Sequence, residues 1–275
     1  MSVETFTYTG SLQTFTVPLG VTSVTIRCLG AEGGTALGTP TGKGASLQGD
    51  FAVTVGEELS ILVGEAGKSS GEDFYSAGGG GGSFVWRSTG KASLENLLLA
   101  AGGGGGAGYN YNTPGVDAVL TTTGTAGNGG GAGGSGGAGG SGGFTDDYDG
   151  GGGAGAGVLT DGGNGQNGEY TDGGKGGTAI QSGGAGGAGH YADENGGFGG
   201  GGGGSEHGGG GGGGYSGGGG GGTADIRGGG GGGGSYNGGA NPVNTAGIGT
   251  GDGLVTITYA DPTRGIPLAR LVGKA

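Results

Sequence analysis

"HGGGGGGGYSGGGGGGTADIRGGGGGGGSYNGG", from His207 to Gly239, holds three unbroken glycine runs separated by a few tyrosines, charges and small polar residues. A flexible linker is the simplest reading, because glycine loses more conformational entropy on ordering than any other residue. The whole chain argues against it: 94 of 275 residues are glycine and only 6 are proline. A linker of this length would carry more Ser, Pro, Glu or Lys. Collagen, the other polymer that is one-third glycine, needs a strict Gly-X-Y period rich in proline. Seven consecutive glycines break that period.

The flanks of the glycine-rich middle read differently. "TFTYTGSLQTFTVPLGVTSVTIRCLGAEGG" alternates apolar and polar positions as β-strands do. Val24, Ile26 and Cys28 fall on one face and Thr25 and Arg27 on the other, the pattern of a strand with one buried side. Two further strands are expected over 46–55 and 58–64, with a Gly56-Glu57 turn between them. "GSFVWRSTG" and "ENLLLAAGG" complete a set of short strands that suggests a sandwich. The last strand signal lies far away in "GDGLVTITYAD" and is expected to rejoin the N-terminal sheet. No second domain is expected between the glycine region and the closing strand for a linker to join, so the region reads as a structure in its own right.

Polyglycine exposes N–H and C=O groups along its whole length, and burying them unpaired is costly. Left-handed helices with three residues per turn, lying side by side, pair them across to neighbours, and they can touch only where no Cβ intervenes. The expected fold is therefore an all-β sandwich at the N-terminus, completed by a C-terminal strand, with an inserted bundle of packed polyglycine II helices and little or no α-helix. The domain reading is 1–100 plus 250–260 for the sandwich, 101–249 for the bundle and its loops, and 261–275 for a tail.

Composition narrows the function. The formal charge is −12 and the sequence pI near 4.3, which argues against a nucleic-acid or anionic-membrane partner, since both need a basic patch. No run reaches the roughly 18 apolar residues of a membrane span. "MSVETFTYTG" has neither the basic nor the apolar region of a secretory signal, so folding in the cytoplasm is expected. Cys28 is the single cysteine and reads as a small buried apolar residue. The two histidines, His190 and His207, stand in glycine-rich loops with no Ser-His-Asp order, and "GTPTGKG" lacks the spacing and trailing Ser/Thr of a phosphate loop. The reading is non-enzymatic, with no cofactor. "DGGNGQNGE" and "TDDYDGG" offer oxygen ligands that could suit calcium but lack a nine-residue repeat; no metal site is assigned, and calcium binding stays open.

"ENLLLAAGGGGG", a strand feeding straight into a glycine run, resembles the glycine-rich domain of anaplastic lymphoma kinase and its bacterial relatives. The opening strands and the closing "GDGLVTITY" are similar to the brackets of glycine-rich proteins of bacteria and phages. The chain also resembles the receptor-binding adhesins at the tips of phage long tail fibres. That likeness implies a polyglycine scaffold that presents variable loops to a bacterial cell-surface receptor, glycan or protein. It also implies other tail proteins as partners, a homo-oligomer such as a trimer, and a place in the virion at the tail tip. The candidate receptor-binding residues are Tyr109, Tyr111, Tyr148, Tyr170, His190, Tyr191, His207, Tyr215, Arg227 and Tyr236, aromatic or charged groups among small polar neighbours, a composition that makes adaptable contact surfaces. Some of these rings are expected to fold back over the glycine block. In the tail, Arg264, Ile266, Leu268, Arg270 and Leu271 are candidate assembly contacts. The alternative is a purely structural tail or filament subunit with inert loops. An ice-binding bundle would need a flat, regularly spaced Thr or Ala face, which the sequence does not present.

Overall fold

The computed structural model describes residues 1–36, 38–70, 76–109, 113–145, 148–223 and 227–261. Ten strands form in chain order: β1 (Ser2–Thr7), β2 (Gln13–Thr16), β3 (Ser23–Leu29), β4 (Gly44–Ala52), β5 (Glu58–Leu62), β6 (Ser83–Arg87), β7 (Leu97–Ala101), β8 (Tyr236–Asn237), β9 (Ala240–Gly249) and β10 (Leu254–Tyr259). They make two antiparallel sheets, ordered β1-β10-β3-β4-β9 and β2-β5-β6-β7-β8. Helix is limited to two single 3-10 turns, Ile180–Ser182 and Ala192–Glu194, among the described residues. β10 pairs with both β1 and β3, Ile257 standing opposite Glu4 on one side and Ile26 on the other, so the C-terminal strand closes the N-terminal sheet.

The two sheets pack face to face as a sandwich. Val24, Ile26 and Cys28 of β3, Leu47 of β4 and Ile257 of β10 meet Phe15, Leu59, Ile61, Val85 and Leu99 of the second sheet. Each large aliphatic side chain in this layer contributes about 1.5–3 kcal/mol by leaving water. Burial pushes the Cys28 thiol well above its ordinary pKa, so it packs as an apolar group. The second sheet is covered on its other face as well: Leu62, Phe84, Trp86, Leu97 and Ala100 form a separate core with Val158 and Ile180, which come from the glycine-rich middle. That double burial explains why "SFVW" and "LLLAA" are unbroken apolar runs instead of alternating ones.

Beyond the sheets the chain builds a lattice of backbone hydrogen bonds. Gly208–Gly214 is its centre. Gly209 and Gly212 donate to Gly228 and Gly231, Gly210 and Gly213 to Ala77 and Gly80, and Gly211 and Gly214 to Gly153 and Ala156. The carbonyls of the same run accept from Gly103 and Gly106, from Gly202, and from Gly218 and Gly221. Every third residue therefore addresses the same neighbour, and the run is enclosed by three segments that receive its donors and three that supply donors to it. Run 217–222 repeats the rule, reaching Ala138 and Ser141, then Gly212 and Gly209, then Thr125 and Asn128. An α-helix would bond within itself at i→i−4, and a strand would alternate between two sides.

Glycine is required here because the chains touch backbone to backbone. A Cβ on Gly211 would lie closer than 3.0 Å to the carbonyl of Gly218 and to the nitrogen of Gly155, and most glycines of the runs are as tightly placed. Within the lattice, positive φ falls at reversals such as the pairs Gly136-Gly137, Gly183-Gly184 and Gly199-Gly200, beside the second sheet, while Asn241 and Gly247 adopt it inside β9.

The lattice does not respect the expected boundaries. Residues 30–34, 64–68 and 77–82 belong to it, with Ala31, Gly34 and Glu65 accepting from Gly104, Ala107 and Gly81. At the other boundary, β9 extends the first sheet through residues 240–249, which the sequence reading placed with the glycine block. β9 is an edge strand that pairs only with β4 and is exposed along nearly all its length. Its polar "ANPVNT" and Pro242 are compatible with an edge and hide it from a search for buried strands.

Candidate functional site

Because successive runs reverse direction, the segments between them gather at two ends. One end faces the second sheet and is capped by buried serines. Ser216 Oγ accepts from the Gly137 N–H at 3.0 Å and Ser235 Oγ from that of Gly102 at 3.1 Å. Tyr215 and Tyr236 stack with ring centroids 5.3 Å apart and pack, half-buried, on the core of Leu62, Phe84 and Trp86. These two candidate residues thus serve the junction between lattice and sandwich.

The other end carries most of the remaining candidates. Its loops form a continuous hydrogen-bonded cap. The Tyr109 N–H reaches the His207 carbonyl, Thr113 Oγ1 donates to the Arg227 carbonyl at 2.7 Å, and Thr223 Oγ1 to that of Asp149 at 3.1 Å. Ser205 Oγ donates to the Asp172 carbonyl, the His190 N–H to that of Gly204, and the Tyr170 N–H to that of Tyr148. Ser76 Oγ bridges the carbonyls of Ser205 and Gly208. Hydroxyls placed where runs stop satisfy carbonyls that have run out of neighbouring glycines. Tyr109, Tyr148, Tyr170, His190, Tyr191, His207 and Arg227 all lie in this cap. Tyr111 lies outside the described residues, as do Arg264, Ile266, Leu268, Arg270 and Leu271.

Two clusters organise the cap. In the first, His207 is buried and its Nδ1 lies 2.6 Å from Asp149 Oδ2; a carboxylate can only accept, so Nδ1 carries the proton. The Tyr109 ring lies 4.8 Å from the imidazole and holds the Arg227 guanidinium over its face at 4.4 Å. Burial and the neighbouring Arg227 charge lower the His207 pKa, outweighing Asp149 and Glu206, which act to raise it. The second cluster is open. Tyr148 and Tyr170 are 55% and 70% exposed and stack at 5.9 Å with an interplanar angle of 16°. Phe144 and Tyr191 are exposed too, and among the described residues every exposed aromatic of the chain is in this cap.

Two residues of the cap were missed by sequence reasoning as site residues: Asp149, which orients His207, and Glu194. Glu194 is fully buried; its Oε2 accepts from the Tyr191 N–H at 2.8 Å, while Oε1 has no hydrogen-bond partner among the described residues. Burial, helped by Asp193 and Glu206, pushes its carboxyl pKa up to about 8. Nothing in "HYADENGG" signals a buried acid, since its burial comes from the packing of other runs around the loop. Among the described residues no group of three or more His, Cys, Asp or Glu is placed to hold a metal ion, and no helix is long and apolar enough to cross a membrane. No protein-family model matches the chain, and no curated protein matches it.

Proposed function

We propose that the chain is a non-enzymatic bacteriophage tail component, an adhesin whose glycine-rich block is a bundle of polyglycine II helices carrying receptor-binding loops at its free end. The helix assignment is supported by the period of three in the backbone donors and by the close approach of glycines that leaves no room for a Cβ. The binding assignment rests on one observation: the exposed aromatics of the described chain all gather in the loop cap, at the end away from the sandwich. Exposed, rigidly mounted rings cost little entropy to bury and are the residues that dominate recognition surfaces. On this reading the particle is met at the sandwich end, where β1 begins opposite the end of β10.

The test is adsorption of the labelled full chain to a panel of bacterial strains, alongside a Tyr148→Ala/Tyr170→Ala variant. Binding to at least one strain is expected, reduced about tenfold or more in the variant with its melting temperature unchanged. Binding to no strain, or equal binding by the variant, overturns the adhesin reading in favour of a structural subunit.

A further inference from the structure

Building on the adhesin reading, we infer that the loop cap recognises a basic polypeptide surface, lysine or arginine side chains presented by the receptor, by placing them between the exposed tyrosines and the carboxylates around them. The charge at this end is mainly negative. Glu169 and Asp172 are exposed on either side of Tyr170, Asp193 and Glu206 are half-buried in neighbouring loops, and the nearby cations among the described residues are Arg227, held over the Tyr109 ring, Lys68, paired with Glu65, and Lys175 on the adjoining run. His207 adds little positive charge, since burial and the neighbouring Arg227 lower its pKa. An anionic partner would be repelled by such a face, and a purely apolar one would strand the carboxylates without water.

The aromatics supply the other half of the argument. A tyrosine face attracts a cation, more strongly where carboxylates stand beside it. The protein already uses this contact in the same cap, where Arg227 lies 4.4 Å from the centre of the Tyr109 ring. The Tyr148–Tyr170 pair offers the same surface outward: two nearly parallel rings, fixed by the hydrogen bond from the Tyr170 N–H to the Tyr148 carbonyl at 3.0 Å, with Glu169 directly adjoining in the chain. Rings and acids are mounted on a lattice whose ends are tied by buried hydroxyls, so little order has to be gained on binding.

The probe is poly-L-lysine, compared with neutral dextran, with binding to the immobilised full chain measured at low and at 0.3 M added salt. Removing charge from the cap (Glu169→Gln/Asp172→Asn) and removing a ring while keeping its bulk (Tyr170→Leu) are each expected to weaken poly-L-lysine binding about fivefold to tenfold, and salt to weaken it further. Tyr170→Phe keeps the ring and is expected to keep the binding. Glu58→Gln/Glu95→Gln, which removes the same charge from exposed sites of the sandwich, is expected to leave it within about twofold. Equal losses in the sandwich control, no loss in Tyr170→Leu, or dextran binding as tight as poly-L-lysine binding each overturns the inference. The bacterial assay separates the two readings. If Tyr148→Ala/Tyr170→Ala abolishes adsorption while Glu169→Gln/Asp172→Asn and salt do not affect it, the basic ligand falls and the adhesin stands; if no cap variant alters adsorption, the adhesin itself falls.

Discussion

Replacing Gly211 by alanine tests the lattice at its centre. The new methyl would lie closer than 3.0 Å to the Gly218 carbonyl and 2.8 Å from the Gly155 nitrogen, whereas ordinary contact begins at 3.4 Å. The Gly155 backbone alone would have to retreat by about 0.6 Å, and Gly218 by more. Those two groups are bonded to each other at 2.9 Å, Gly211 donates to Gly153 at 2.9 Å, and Gly218 donates to Gly212 at 2.8 Å, so the retreat loosens bonds of three runs at once. Overpacking costs about 1–3 kcal/mol, and leaving one buried backbone group unsatisfied about as much again. Alanine returns at most about 1 kcal/mol by restricting the unfolded chain. The expected net loss is about 3 kcal/mol, which for a domain of this size lowers the melting temperature by roughly 6–12 °C. Gly163→Ala is the comparison: its Cβ would meet one backbone atom below 3.0 Å, Gly142 N at 2.9 Å, with the next at 3.4 Å, so its cost should be about 1–2 kcal/mol, below that of Gly211→Ala. The assay is a thermal melt followed by circular dichroism. If the two variants melt together, the backbone-to-backbone lattice is refuted.

Other perturbations address the two ends. Ser216→Ala and Ser235→Ala each strand a buried N–H, of Gly137 and Gly102, and should cost about 1–3 kcal/mol in urea denaturation. Tyr215→Ala should destabilise by about 2 kcal/mol or more through the core shared with Phe84 and Trp86, while leaving poly-L-lysine binding per folded molecule unchanged. Glu194→Gln should flatten part of the pH dependence of stability. The folded carboxyl holds its proton up to about pH 8, whereas the unfolded one releases it near 4.5, so the native chain loses stability as pH rises from 4.5 to 8 and the amide does not. Melts at pH 5 and pH 8 should differ less in the variant than in the parent, and an equal difference would show that Glu194 is not held in its buried, protonated form.

Strands that bury one face were plain in the sequence, because Val24, Ile26 and Cys28 must all point into one core and nothing else produces that alternation. β9 was not, since an exposed edge strand imposes no pattern on its side chains. Tyr215 and Tyr236 looked the same as Tyr148 and Tyr170 in sequence, each a ring among small polar residues. What separates them is the direction of the run they terminate, and direction depends on the number of reversals before it, which local composition does not record.

The glycine pattern itself carries more than was read from it. Where backbone donors return to the same neighbour every third residue, a chain packed on every side must be glycine, or alanine where a gap allows, at each position, whereas a chain at the rim can place a side chain outward every third residue. Gly208–Gly214, with neighbours on all sides, has no interruption. "GGAGGSGGAGGSGG" at 130–143 is interrupted at Ala132, Ser135, Ala138 and Ser141, none of them buried, and "GGKGGT" at 173–178 shows the same spacing, with Lys175 exposed. Glycine runs and GGx repeats are thus the inside and the outside of one lattice. The unbroken stretches between His207 and Gly239 mark the axis from which the loop cap is held, and the rim repeats mark where side chains can vary without disturbing it.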